Sequence, residues 1–113
     1  YGLTDDQVEH MILESFEKAE QDFKERQVRE ARVEADAILA ATEKARRNNV
    51  YFDLTDDERA AIDKSLNELL LVYHSEDHQL ILEKIEELNQ ATTTLAENIM
   101  NTAVRGALKG TKI

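Results

Sequence analysis

The sequence has no cysteine and no proline, and its three glycines stand only at positions 2, 106 and 110. Each absence excludes something. Without cysteine there is no disulfide scaffold and no thiol nucleophile, which fits a reducing compartment. Proline costs roughly 3 kcal/mol inside a helix and glycine about 1 kcal/mol relative to alanine. The same two residues build most tight turns. A chain free of both from Leu3 to Arg105 avoids hairpins, sheets and glycine-rich phosphate loops, and it reads as long helices with few joints. Aromatics make up only 5%, so the core is expected to be Leu, Ile, Val, Met and Ala. No apolar run approaches the ~20 residues of a membrane span, and no secretory leader is recognisable. The chain opens on Tyr1 rather than Met, as expected of a segment of something longer.

Positive charge is also scarce. Twelve acidic residues face eight basic ones over 1–50, and twelve face six over 51–113, for a net charge of −10. Nucleic-acid binding depends on neutralising phosphates with Lys and Arg, so it is disfavoured. Anionic membrane surfaces are disfavoured for the same reason.

What is present is helical. Leu-Thr-Asp-Asp occurs at 3–6 and again at 54–57, followed by Gln7 and Glu58. Both copies read as capping boxes, with the Asp pairs against the positive end of the helix dipole. Leu3 and Val8 hold the positions of a hydrophobic staple. Val8, Ile12, Phe16, Ala19 and Phe23 follow helical spacing. The phase then slips by five residues to Val28 and resumes through Ala31, Ala35, Ile38, Thr42 and Ala45.

The pattern predicts a first helix within 1–23 and a second over 24–47, nearly collinear, with a kink or a change of buried face between them. At 1.5 Å per residue the pair spans roughly 65 Å, too long to be buried in one small globule. Residues 24–34 are highly charged and read as a helix surfaced on both sides by water or a polar partner. Asn48 and Asn49 are candidates for a left-handed cap. A third helix is expected over 55–73, with the stripe Ile62, Leu66, Leu69, Leu70 and Tyr73. A fourth is expected over 76–105, with Ser75 as candidate N-cap and Ile81, Ile85, Leu88, Thr92, Leu95, Ile99 and Ala103 as a bundle seam. Gly106 and Gly110 mark a frayed tail, 106–113. The fold class is all-α: a long kinked helix pair followed by an antiparallel three-helix bundle.

Catalytic chemistry is hard to find. His74 and His78 have the four-residue spacing of a metal pair, but they straddle a helix boundary, and His-Ser-Glu-Asp-His lacks the zinc-protease arrangement. The residues three before His10, His74 and His78 are Gln7, Leu71 and Ser75, so the Glu-x-x-His of a di-iron bundle is absent. No catalytic, cofactor or metal site is expected. Ile38 and Leu39 are adjacent and face about 100° apart on a helix. Either one packs in the bundle while the other meets a partner, or the apolar stripe is simply wide.

Tyr-Gly-Leu-Thr-Asp-Asp-Gln-Val at the start, Ala-Glu-Gln-Asp at 19–22 and Val-Arg-Gly-Ala-Leu-Lys-Gly at 104–110 resemble the C-terminal helical lid of the seventy-kilodalton heat-shock chaperones. The likeness is greatest to the bacterial branch specialised for iron–sulfur cluster assembly, and it covers essentially the whole chain. The resemblance implies an ATPase domain, using ATP and Mg, and a β-sandwich peptide-binding domain upstream. The lid's first two helices lie over the sandwich, open with ATP and close on hydrolysis. It further implies an iron–sulfur scaffold protein as client, a J-domain co-chaperone and a bacterial cytoplasmic location. Asp36 falls at the family's latch to the β-domain, and Ile38 and Leu39 at its apolar contacts to that domain. Ala40 stands where relatives of the general branch carry a histidine that assists the latch, so half of that latch is missing. The competing reading is a free-standing helical adaptor or coiled-coil scaffold. Without its β-domain the first helix is expected to pair with a second copy through Val8, Ile12, Phe16 and Phe23.

Overall fold

Both Leu-Thr-Asp-Asp segments start helices in the computed structural model, which describes residues 2–111, with side chains as far as Lys109. Thr4 Oγ1 accepts from the Gln7 amide at 3.2 Å, and the Thr4 amide donates to Gln7 Oε1 at 2.9 Å. Thr55 and Glu58 repeat the exchange at 3.1 and 3.2 Å. Each box satisfies two amides that have no carbonyl partner within the helix.

The first cap opens α1, Asp5–Arg46, a single helix of 42 residues. The boundary expected between residues 23 and 24 is therefore corrected: the helix runs unbroken through Phe23–Val28, and what changes there is that one face becomes buried. Without proline or glycine, nothing in the backbone chemistry interrupts the hydrogen-bond ladder. A 3-10 turn, Asn49–Asp53, follows, and its second amide is capped by Asn48 Oδ1, which accepts from Val50 N at 3.0 Å. Asn48 has φ −74, so it caps the turn rather than closing α1 in a left-handed conformation as the sequence suggested.

The second box opens α2, Asp56–Val72. α3 spans His78–Thr111. Its first amides are taken by Asp77 rather than Ser75. Asp77 Oδ1 accepts from Gln79 N and Leu80 N at 3.0 and 3.3 Å, while Ser75 Oγ accepts from Asp77 N at 3.0 Å. The expected tail is helical as far as Thr111, and Lys112 and Ile113 lie outside the described residues. Gly106 lies inside α3 and does not end the helix. No strand occurs among the described residues.

The bundle has two core clusters. One joins Val28, Ala31 and Ala35 of α1 to Leu69 of α2 and to Ile81, Ile85 and Leu88 of α3. The other joins Val50, Tyr51 and Leu54 to Ile62 of α2 and Leu95 of α3, with Ala45 and Ile99 packed against it. Moving from the first cluster to the second, α1 and α3 ascend in number while α2 descends. The three helices therefore run up, down, up. Ile62, Leu69, Ile81, Leu88 and Leu95 are the largest fully buried side chains, each stabilising the fold by roughly 1.5–3 kcal/mol. Val28 and Ala31 belong to this core, so 24–34 is not solvated on both sides: its charges cover one face and its small apolar residues bury the other.

The molecule extends over 85 × 34 × 16 Å with a radius of gyration of 22.8 Å, against about 13 Å for a compact chain near this length. The excess comes from the first half of α1.

Candidate interaction surfaces

Every described residue from Gly2 to Arg26 is exposed. α1 reaches beyond the bundle there and carries Leu3, Val8, Ile12, Phe16 and Phe23 along one side, with Phe16 73% and Ile12 61% exposed. Leu3, Val8, Met11, Ile12, Phe16 and Ala19 line one shallow apolar depression. Scattered exposed apolar side chains are ordinary; here they are gathered into a stripe along one side of the helix.

Where α1 enters the bundle, it crosses the joint between α2 and α3. Arg32 is half-buried and aims its guanidinium at the end of α2. Its Nε donates to the Tyr73 carbonyl at 3.1 Å, and one Nη donates to the carbonyls of His74 and Ser75 at 3.2 and 3.3 Å. These carbonyls lie at and just beyond the end of α2, where the helix dipole is negative and a cation is favoured. Glu76 lies 3.8 Å from the same nitrogen.

One turn on, Asp36 is exposed, and its Oδ1 accepts the Tyr73 phenol at 2.6 Å. That is the short distance of a hydrogen bond to an ionised oxygen. The bond holds the Tyr73 phenol above its ordinary pKa, with burial and the Asp36 charge acting in the same direction and Arg32 opposing them. Among the described residues Asp36 forms no ion pair.

Ile38 and Leu39, the other two residues singled out in the sequence, are both half-buried and both pack against the first core cluster. Arg32 and Tyr73 were not singled out for a site. Arg32 was one charge among many in 24–34, and Tyr73 was read as part of an apolar stripe. Their contacts join residues 41 apart in the chain, a separation that helical spacing does not report.

His74 is exposed and sits edge-on to the Tyr73 ring at 4.9 Å between centroids. His78 begins α3. Among the described residues no group of three His, Cys, Asp or Glu is placed to hold a metal ion, and no helix is long and apolar enough to cross a membrane.

The family model "Hsp70 protein" matches residues 1–101. Proteins named "Chaperone protein HscA homolog" align over all 113 residues: that of Cupriavidus metallidurans at 38% identity, that of Janthinobacterium sp. (strain Marseille) at 39% and that of Azoarcus sp. (strain BH72) at 37%. The chain spans 18% of the length of each of these relatives. A long all-α arm on a three-helix bundle, matched over nearly its whole length by one family model and over all of it by these relatives, belongs to the Hsp70 chaperone family.

Proposed function

We propose that this chain is the helical lid of a peptide-binding chaperone, a moving cover with no catalytic site of its own. The carrying observation is the apolar stripe Leu3–Phe23 on the projecting half of α1. The chain spans only 18% of the length of its relatives, and the rest of that length is room for a body that covers the stripe. The proposed cover is the upstream β-sandwich, with the lid opening on ATP binding and closing on hydrolysis by an upstream ATPase domain that uses Mg. The names of the relatives support a chaperone role; within it the proposed process is iron–sulfur protein maturation, with an iron–sulfur scaffold protein as client, a J-domain co-chaperone as partner and the bacterial cytoplasm as location.

Within this reading Asp36 is the latch, an acidic group offered to a basic group on the rim of the β-domain. Ile38 and Leu39 touch that domain with the parts of their side chains the bundle leaves uncovered. The bundle stiffens the far end of the lever so that α1 moves as a unit.

The test is peptide release from the full-length protein. Phe16→Asp puts a charge on the centre of the stripe. It is expected to speed release roughly tenfold or more, about 1.4 kcal/mol of lost closure. Release unchanged from the native protein, with residues 5–26 equally accessible to hydrogen exchange with and without bound peptide, overturns the lid reading.

A further inference from the structure

Asp36 and Arg32 are four residues apart on one face of α1, and both reach the α2–α3 joint, but with different outcomes. Arg32 is consumed there: its donors go to the carbonyls of Tyr73, His74 and Ser75. Asp36 is not consumed. It takes one neutral hydrogen bond, from the Tyr73 phenol, and no cation. A carboxylate has two oxygens with about four lone-pair sites. With the phenol on Oδ1, Oδ2 and the full negative charge remain available on an exposed surface.

Tyr73 is itself well held. Arg32 grips its carbonyl, Asp36 takes its hydroxyl, and its side chain packs against the first core cluster. The bundle thus fixes the direction of a charge that it does not neutralise. A free exposed side chain loses rotamer freedom when it forms an ion pair, which is why exposed pairs are weak. A carboxylate already held by a phenol has paid part of that cost before the partner arrives.

We propose that Tyr73 is a positioning residue for the lid latch: through its hydroxyl it orients Asp36 so that the free oxygen presents to a basic group on the upstream domain. The inference rests on the reading of Asp36 as the latch. It assigns the strength of the latch to a residue 37 positions away in sequence, on a different helix.

A double-mutant cycle on peptide release by the full-length, ADP-bound protein tests it. Tyr73→Phe removes one oxygen and keeps the ring. It is expected to speed release by about twofold to fivefold, the scale of one exposed ion pair weakened or lost. Asp36→Ala is expected to speed it at least as much, and Asp36→Asn, which keeps an acceptor for the phenol but carries no charge, to match Asp36→Ala. In the Asp36→Ala background Tyr73→Phe should have no further effect. If Asp36→Ala and Asp36→Asn both release at the native rate, the latch reading fails. If they release faster but Tyr73→Phe does not, the latch stands and the positioning role is overturned. If Tyr73→Phe speeds release equally with and without Asp36, its role is structural, and the proposal is again overturned.

Discussion

The two halves of α1 are the same unbroken helix, with similar sequence chemistry and opposite fates. From Val28 onward the apolar positions Val28, Ala31 and Ala35 are small and fully covered. Before Val28 they are large, including Phe16 and Phe23, and bare. Small residues let α2 and α3 approach the α1 backbone closely, while the large ones before Val28 stand in the open. Small residues mark where α1 is fully covered, with the larger Ile38 and Leu39 half-buried beside them, while the large side chains before Val28 stay bare.

The sharpest way to break this comparison is truncation in each half. Leu88→Ala empties a fully buried site touching the first cluster and should cost about 2–5 kcal/mol in denaturant unfolding of the isolated chain. Phe16→Ala removes a larger side chain and, at concentrations low enough to keep the chain monomeric, should change that stability by no more than ~0.5 kcal/mol. A comparable loss for Phe16→Ala would mean that the projecting half is folded against the bundle. Detached from a cover, the same half is expected to pair with a second copy. Sedimentation should then depend on concentration for the native chain and not for Phe16→Asp.

The two capping boxes give a smaller and more direct contrast. Their geometry is nearly the same, but Thr4 caps the projecting end and Thr55 caps a bundle helix. Thr55→Ala should lower global stability by about 1 kcal/mol. Thr4→Ala should leave global stability unchanged and speed amide exchange only in the first turns of α1, because a frayed end unfolds separately from the core.

The smallest effect is alkaline. Tyr73 is raised by its bond to Asp36, and Lys84 is raised first by its bond to Glu87 and further by Glu68, with burial opposing. A raised value means that the fold binds the proton more tightly than the unfolded chain does. The contribution is therefore complete below the ordinary values of 10.0 and 10.5 and is lost as pH rises through the raised ones. Above about pH 10 the melting temperature of the native chain should fall more steeply than that of Tyr73→Phe, which lacks one of the two groups. Parallel curves would remove Tyr73 from this account.

Much of the fold was legible because its signals are local. The capping boxes, the stripes on α2 and α3 and the phase slip after Phe23 all involve residues within a few positions of one another. The slip itself was read as a possible break, and here the pattern was ambiguous: a change of buried face and a kink give the same shift in periodicity. The Asp77 cap was missed because Ser75 and Asp77 are both good capping residues two positions apart, and the backbone of the joint chooses between them.

The sequence by itself determined that the chain is helical, where its caps lie, and that more apolar surface exists than one small bundle can bury. Propensity, capping and periodicity are properties of neighbouring residues, so they can be read along a line. Only the tertiary structure decided which half of α1 the bundle takes, that Arg32 closes the end of α2, and that Asp36 is held by Tyr73 yet left with its charge. Those outcomes depend on side chains about 40 positions apart arriving within 3 Å or so of each other. That proximity is created by the packing of α1 across the α2–α3 joint and by nothing written locally around either residue.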